Sequence, residues 1–479
     1  MALGVIALAR PTFDVDYAEE VAAAARAVIE DIAPGYVGGQ ELLFDATSTR
    51  AAIDDLRGRS LDGLLVLQAT FTDATMTREL ATAVDAPLIL WAFPEERTGG
   101  RLRLNSLCGI NLAAHALGRI GRAFRYMYHH ADDPRAAAEL TRLLQGHGSV
   151  DTRLLQRGGS VESAVRIVPG AVELSASALE AALQVEEALD GLTTGLVGDY
   201  PDGFDPCRYD AGAVQRLLGV TVDRVELADL FAAADEVGPD AVAETRERAA
   251  LALGPLDELD QESLEASLRI YGGLRSLAAR RQWSAVATRC WPECFTEYGG
   301  AACAPQAMLT DDGIPGMCEA DVYGNLTSLI LRELSGDAPF IADLVDIDEA
   351  SDSAVLWHCG LAPLNMACAD TDPAPTVHSN RGKPLLHEFA LRPGRVTIAR
   401  LSQAGDVHKL VVGGGEMLAE PLPFSGTAGT VRFDKPAGDV LATIMAEGLE
   451  HHYGVVYGDY EEELRALAAR WSLPVVNLT

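Results

Sequence analysis

Residues 4–32 read GVIALARPTFDVDYAEEVAAAARAVIEDI, a short apolar run followed by a helix-like segment. GVIALA has the length and hydrophobicity of a buried β-strand, and residues 17–32 have the apolar spacing of an amphipathic helix. The same order recurs after DGLLVLQAT (62–70), APLILWAF (86–93) and AFRYMYHH (123–130). A repeated strand-then-helix order predicts a parallel, doubly wound α/β sheet.

Two further units are predicted downstream. VRIVPGAVEL (165–174) and TGLVGDYPDGFD (194–205) are strand-like, and a helical tract follows at about 240–281, interrupted only by Gly254-Pro255. After residue 335, segments such as HEFALRPGRVTIARL (387–401) alternate β-branched residues with Gly/Pro turns, which is typical of antiparallel barrels. We therefore predict an α/β protein with two doubly wound, Rossmann-like domains, at residues 1–155 and 156–335, and a β-rich, barrel-like C-terminal domain at residues 336–479.

The composition narrows the function. A net charge of −32 over 479 residues argues against nucleic-acid binding, which needs basic surface. No basic region precedes the first apolar run, and no apolar run reaches the roughly 18 residues of a membrane span. None of the eight cysteines forms a C-x-x-C pair, so we expect reduced thiols in a cytoplasmic protein. Neither G-x-G-x-x-G nor a P-loop follows any predicted strand, so a dinucleotide or nucleoside triphosphate is not favoured.

Two acids in apolar surroundings mark residues 288–349. Glu319 follows GIPGMC and precedes an amphipathic helix, so it is either a functional carboxylate or a charge at the helix N-terminus, where Asp321 competes with it as the cap. Asp343 lies inside PFIADLVDID (339–348), which is predicted to be a buried strand. A buried carboxylate is costly unless it is paired, protonated or bound to a cation, so both acids are candidates for chemistry.

Histidines supply the third candidate ligand. His451 and His452 are adjacent, and such pairs often combine one packed ring with one ligand. His358, in LWHCG, is a second candidate. The alternative interpretation is that His358 is a core histidine that hydrogen-bonds to the backbone. Two carboxylates and one imidazole around a divalent ion suit a reaction that moves protons on a hydroxylated substrate.

Seven motifs occur together along the chain: QATFTDATM (68–76), LWAFPE (90–95), CWPE (290–293), CEADVYGNLT (318–327), ADLVDID (342–348), LWHCG (356–360) and HYGVVYGD (452–459). In this order they resemble the L-fucose isomerase family, which is related to the L-arabinose isomerases. Members of that family convert an aldose to a ketose through an ene-diol, with Mn²⁺ as cofactor. The resemblance implies a Mn²⁺-dependent aldose–ketose isomerase, with Mg²⁺ or Co²⁺ as possible substitutes. It also implies a homo-oligomer, a trimer or hexamer, with the active site near a subunit interface.

The resemblance also assigns residues. The metal ligands of the family fall on Glu319, Asp343 and His452, with His451 as an extra neighbour, and the two carboxylates form the catalytic acid/base pair. Arg10 matches an arginine that follows the first strand, and Phe71 matches an aromatic that those enzymes present from an adjacent subunit. The predicted sugar-binding residues are Arg10, Phe71, Trp91, Trp291 and Asn365.

The identity of the sugar stays open, because TFDVDY (12–17) replaces the basic cluster of well-known fucose isomerases. One alternative on the same scaffold is an isomerase of a C6-modified hexose, for example an anionic, sulfonated one. That substrate needs a cationic pocket, which Arg10, Arg97, Arg101 and Arg103 are candidates to form. The other alternative is a non-catalytic sugar-binding protein with two α/β lobes.

Overall fold

The structure is a computed structural model that describes residues 1–148, 150, 164–165 and 174–479. The predicted fold class is confirmed, because two parallel sheets precede a large, mostly antiparallel one. The boundary predicted at 155/156 and most of VRIVPGAVEL (165–174) lie outside the described residues, and the domain limits stay a prediction. Across the described residues, no helix is both long enough and apolar enough to cross a bilayer.

The first sheet is parallel, with strand order β2-β1-β3-β4-β5. Its strands are Leu3–Leu8 (β1), Leu42–Leu43 (β2), Gly63–Gln68 (β3), Leu88–Ala92 (β4) and Phe124–Tyr128 (β5). Its helices are Val15–Ile32 (α1), Ala46–Leu56 (α2), Thr75–Ala83 (α3), Ser106–Arg119 (α4) and Ala136–Leu144 (α5). Every residue of β1, β3 and β4 is buried, as expected for strands that helices cover on both faces.

The second sheet is also parallel, with order β10-β9-β7-β8. The next strands are Ala164–Val165 (β6, which pairs with the third sheet), Thr193–Val197 (β7), Thr221–Val225 (β8), Ala285–Thr288 (β9) and Gly316–Met317 (β10). The helices are Ala176–Leu189 (α6), Ala211–Leu218 (α7), Leu227–Asp235 (α8), Pro239–Leu253 (α9), Gln261–Arg281 (α10), Cys303–Asp311 (α11) and Val322–Ser335 (α12). The predicted helical tract is thus two helices, α9 and α10, and it breaks after Leu253 as Gly254-Pro255 indicated.

The third sheet contains all nine of the strands that follow β10, and two helices lie between or beside them in the chain. The strands are Phe340–Asp348 (β11), Ser353–His358 (β12), Ala374–Thr376 (β13), Leu386–Ala390 (β14), Gly394–Ser402 (β15), Lys409–Met417 (β16), Thr427–Phe433 (β17), His452–Tyr457 (β18) and Val475–Asn477 (β19). The helices are Ala437–Glu447 (α13) and Glu461–Arg470 (α14). Strand β16 pairs with both β15 and β17, so β17-β12-β11-β18-β15-β16 closes into a ring. This closure is the predicted barrel, and it leaves these strands without a free edge.

The two parallel sheets direct their carboxyl ends toward one cavity. Arg10 follows β1 and Phe71 follows β3, at the point where the strand order of the first sheet reverses. Trp291 follows β9 and Glu319 follows β10 of the second sheet. All four residues line the same cavity. Open α/β sheets bind ligands at this place, because the loops that leave neighbouring strands diverge there.

Candidate active site

Glu319, Asp343 and His452 converge although they are far apart in sequence. His452 Nε2 lies 3.5 Å from Glu319 Oε2 and 3.6 Å from Asp343 Oδ1. Asp343 and His452 are direct partners in the antiparallel ladder of β11 and β18, so their side chains leave the same face of the barrel wall. The structure thus brings together the three predicted metal ligands.

Two of the converging atoms have no hydrogen-bond partner. Asp343 Oδ1 and His452 Nε2 are both buried, and no described residue satisfies either of them. An orphaned buried acceptor is costly, and a cation shared between such atoms removes the cost. Carboxylate oxygens with a single imidazole suit a hard divalent ion such as Mn²⁺ or Mg²⁺, so these residues fit the implied metal.

A buried chain of polar groups orients His452. Its Nδ1 lies 2.9 Å from Asp321 Oδ2, and both oxygens of Asp321 accept from Arg400, at 2.5 and 3.0 Å. Arg400 and Asp321 are almost inaccessible, at 0% and 1% side-chain exposure. Because Nδ1–H donates to the carboxylate, Nε2 keeps its lone pair for a metal. Asp321 is also the N-cap of α12, where its side chain accepts from the Gly324 N–H.

Glu319 lies before this cap, outside the first turn of α12. Glu319 and Ala320 both have left-handed backbone, with φ of 59° and 55°. Two consecutive non-glycine residues in this region are strained, and such strain is concentrated at functional sites. Glu319 Oε1 accepts from the Trp291 indole N–H at 3.2 Å, and Oε2 lies 3.0 Å from His451 Nε2. Asp321, and not Glu319, is therefore the cap of α12.

The two central carboxyl groups have different acidities. Burial tends to raise the pKa of Glu319, but the hydrogen bond from His451 and the nearby His452 outweigh it and lower that pKa to about 2. Burial raises the pKa of Asp343 to about 6, against the attraction of the two histidines. Carboxyl groups whose surroundings separate their pKa values are typical of acid/base pairs.

The cavity beside these ligands contains three of the five predicted sugar-binding residues. Arg10, Phe71 and Trp291 line it, together with His358 and Trp357. The Phe71 ring packs 5.9 Å from the rings of both Phe13 and Phe204. Phe71 therefore reaches the cavity of its own chain. The remaining lining residues are Thr12, Phe13, Asn105, Cys290, Phe295, Cys303, Cys318, Glu319, Asp343, Cys359, His378, Asn380, Arg381 and His451.

Trp91 and Asn365 lie elsewhere. Trp91 is completely buried in β4, where its indole N–H donates to the His129 carbonyl. A strand inside a doubly covered sheet buries both of its faces, which keeps this ring in the core. Asn365 belongs to a short 3₁₀ turn, Leu364–Met366, where its carbonyl accepts from Arg392, and it is not a lining residue of the cavity.

The predicted cationic pocket is only partly assembled. Arg97 donates to Asp346 at 2.7 Å and to Ser353 at 2.8 Å, outside this cavity. Asp346 lies within β11 and is buried. Arg103 donates to Asp14 at 2.7 Å, also outside the cavity. Of the four predicted arginines, only Arg10 is a lining residue.

Sequence reasoning missed a cationic group from the third domain. VHSNRGKP (377–384) joins β13 to β14, and it contributes His378, Asn380 and Arg381 to the cavity. Arg101 reaches the cavity only indirectly, through a 3.0 Å hydrogen bond to Asn380. Neither periodicity nor a motif marks this loop in the sequence.

Cysteine thiols lie around His358 in the wall of the cavity. His358 Nε2 lies 3.1 Å from Cys318 Sγ, and Cys303 Sγ lies 3.6 Å from Cys359 Sγ. All eight cysteines are free, as their spacing predicted. The His358 ring also stacks 5.7 Å from that of His452. His358 is therefore part of the wall that packs against the candidate ligands.

Comparison with known proteins yields full-length relatives. Residues 4–149 match the family model described as the N-terminal domain of fucose/sulfoquinovose isomerase. The chain is 29% identical over 472 residues to the sulfoquinovose isomerase of Priestia aryabhattai, covering 98% of this chain and 97% of the relative. It is 28% identical over 475 residues to that of Alkalicoccus urumqiensis, covering 98% of both chains. It is 29% identical over 463 residues to that of Clostridium sp. (strain MSTE9), covering 96% and 95%.

Proposed function

We propose that this chain, which is similar over its full length to sulfoquinovose isomerases, is a sugar isomerase of the fucose isomerase family and a metal-dependent aldose–ketose isomerase of a C6-sulfonated hexose. The observation that carries the reaction is the convergence of Glu319, Asp343 and His452, because Glu319 and Asp343 line the cavity and His452 lies directly behind them. Two of the converging atoms, Asp343 Oδ1 and His452 Nε2, are buried with no hydrogen-bond partner among the described residues, which favours a bound cation over a structural salt-bridge network.

The names of the relatives support the sulfonated alternative over an unmodified, fucose-like aldose. Each of the three relatives is called a sulfoquinovose isomerase. Sulfoquinovose is a glucose in which a sulfonate replaces the C6 hydroxyl group. Arg10 lies in the cavity, and a cationic group there suits such a substrate.

We propose Mn²⁺ as the cofactor, held by Glu319, Asp343 and His452, with Mg²⁺ or Co²⁺ as substitutes. A divalent ion supplies a Lewis acid that stabilises the negative charge of an enediolate. Asp321 and Arg400 fix the His452 ring and its protonation, so the ligand is already oriented before metal binds.

The proton transfers are assigned to the two carboxylates. The aldose-to-ketose conversion removes a proton from C2 and delivers one to C1, while the hydroxyl proton of O2 is replaced by one on O1. Glu319 is held by hydrogen bonds from Trp291 and His451, and Asp343 lies on the barrel wall beside it. One carboxylate takes the proton from C2, exchanges it with solvent and delivers a proton to C1, and the other moves a proton from O2 to O1. General acid–base catalysis of this kind contributes about 10²–10⁴-fold.

Conversion of sulfoquinovose in D₂O tests the proposal. The Mn²⁺-loaded protein is incubated with sulfoquinovose, glucose, L-fucose and L-arabinose, and ketose formation is followed by ¹H NMR. We expect a ketose from sulfoquinovose with deuterium at C1, because a proton held on a carboxylate exchanges with solvent. A ketose without deuterium would contradict the exchange of this proton with solvent, and no ketose from any of the four sugars would contradict the isomerase assignment. Conversion of L-fucose but not of sulfoquinovose would return the assignment to the unmodified aldose.

We also propose a cytoplasmic homo-oligomer, a trimer or hexamer, from the family resemblance. Phe71 already lies in the cavity of its own chain, so this residue does not require a neighbour. Light scattering coupled to size exclusion measures the mass directly. A monomer of about 50.9 kDa with full activity would overturn this part of the proposal.

A further inference from the structure

We propose that Arg381, with Arg10 and Asn380, forms the subsite that binds the C6 sulfonate and selects a monoanionic hexose. This inference rests on the proposed function and adds the residues that recognise the distinguishing end of the sugar. Arg381 and Asn380 come from the loop between β13 and β14, whereas Arg10 follows β1. The subsite thus joins residues that follow strands of the first and third sheets.

The charge of Arg381 is uncompensated. Arg10 donates to Asp73 at 2.6 Å, so that cation already has an anionic partner. Arg381 is half-buried, and within the described part of the chain no carboxylate pairs with its guanidinium group and no oxygen accepts from it. Burial and the nearby Arg10 lower the pKa of Arg381. Arg10 and Arg381 thus carry two positive charges, and of the described carboxylates only that of Asp73 is paired with them. A bound anion would neutralise the remaining charge.

Trp291 links this charge to the reacting centre. The guanidinium carbons of Arg10 and Arg381 lie 4.8 and 5.5 Å from its ring centre. Its indole N–H donates to Glu319. The Trp291 ring therefore makes cation–π contacts with Arg10 and Arg381, and the N–H at its edge donates a hydrogen bond to Glu319. A hexose with C1 and C2 beside Glu319 extends along this ring, so its C6 end reaches the arginines.

The loop that carries Arg381 is held in place by hydrogen bonds. His378 accepts at Nδ1 from the Asn380 N–H at 3.2 Å, and its carbonyl accepts from the Arg381 N–H at 3.0 Å. Lys383 Nζ donates to the Gly299 carbonyl at 3.0 Å. Asn380 Oδ1 accepts from Arg101, which leaves the amide N–H groups of Asn380 available to a ligand. A pre-organised loop loses little entropy on binding, which favours affinity.

The number of charges favours sulfonate over phosphate. A sulfonate carries one negative charge at neutral pH, whereas a phosphate monoester carries about 1.5 to 2. Arg381 supplies one uncompensated positive charge, and Asp73 and Glu319 both lie within electrostatic range of Arg10. A second negative charge on the ligand would be repelled by these carboxylates. We therefore expect glucose 6-phosphate to bind more weakly than its sulfonate analogue.

Variants of Arg381 test the subsite by two measurements. The first is the ratio of kcat/KM for sulfoquinovose to kcat/KM for 6-deoxyglucose, which lacks the anion. The second is the calorimetric affinity of the Mn²⁺-loaded protein for the sulfonated alditol, which cannot isomerise. We expect Arg381→Met to lower both by about 100-fold and Arg381→Lys by about 10-fold, because lysine keeps the charge without the planar fork.

Arg392→Met is the matched control. Arg392 lies 3.7 Å over the Tyr457 ring and outside the cavity, so we expect neither measurement to change. An equal loss of kcat/KM for both sugars in Arg381→Met would overturn the subsite while leaving the isomerase intact. Tighter binding of glucose 6-phosphate than of the sulfonate would also overturn it. If the wild-type protein isomerises no sugar, the proposed function fails, and the alditol affinities still decide whether Arg381 binds a sulfonate.

Discussion

Glu319 holds its carboxylate between two hydrogen-bond donors, on a left-handed backbone that few residues adopt. Glu319→Gln keeps the shape of this side chain and removes its charge. We expect kcat to fall by about 10²–10⁴-fold, because the amide neither accepts a proton nor binds a divalent ion well. The melting temperature and circular dichroism should stay close to wild type, which separates lost chemistry from lost folding.

Glu297→Gln is the control for this change, because Glu297 is an exposed glutamate in the connection between β9 and α11. We expect it to leave turnover within twofold of wild type, as for most surface substitutions. Activity of Glu319→Gln above a tenth of the wild-type value would contradict its catalytic role.

The two adjacent histidines should differ in metal binding. His452 Nε2 faces Glu319 and Asp343, whereas His451 Nε2 bonds to Glu319. We expect His452→Gln to weaken Mn²⁺ binding by more than about 100-fold and His451→Gln by less than about 10-fold. Titration followed by electron paramagnetic resonance measures both affinities. The reverse order would make His451 the ligand.

For individual site residues, matching sequence motifs gave better predictions than the chemical character of single residues did. Glu319, Asp343 and His452 were assigned by matching motifs, and the structure brings them together. Arg381 was missed, because an unpaired charge is visible only when the surrounding loops are placed. Trp91 is a predicted sugar-binding residue, but its strand is covered by helices on both faces of the sheet, so the ring is not accessible to a ligand.

Asp321, at the start of α12, stabilises both the helix and the candidate metal site. Asp321 caps the helix, pairs with buried Arg400 and orients His452. Asp321→Asn keeps the cap but removes the carboxylate to which Arg400 donates both of its hydrogen bonds. We expect it to lower the free energy of unfolding by about 3–5 kcal/mol and Mn²⁺ affinity by about 10–100-fold. Urea denaturation and metal titration measure the two effects.

Asp210→Asn is the matched control for the cap. Asp210 is the N-cap of α7 and accepts from the Ala213 N–H at an exposed position. Asparagine caps nearly as well as aspartate, so we expect a change within about 0.5 kcal/mol. Equal destabilisation by both variants would show that Asp321 acts only as a cap.

The elements themselves were mostly predictable. Strand β11 coincides with PFIADLVDID, and α9 and α10 coincide with the helical tract, because apolar periodicity and Gly/Pro breaks are local signals. The register that places Asp343 opposite His452 was not predictable, since it depends on pairing between strands about a hundred residues apart.

All three sheets contribute to the cavity, so a ligand that bridges them should stabilise the whole molecule. We expect Mn²⁺ at 100 times its Kd to add about 2.7 kcal/mol to the free energy of unfolding, and EDTA to reverse it. Thermal denaturation with Mn²⁺, Mg²⁺, Co²⁺ and Ca²⁺ measures the effect. No shift with any of them would favour a sugar-binding protein without a catalytic metal.

The ladder between β11 and β18 has a further consequence for how such enzymes diversify. Backbone pairing inside a closed barrel sets the spacing of Asp343 and His452, and a separate loop holds Arg381. A lineage is therefore free to exchange that loop, and with it the sugar it accepts, while inheriting an unaltered reaction centre.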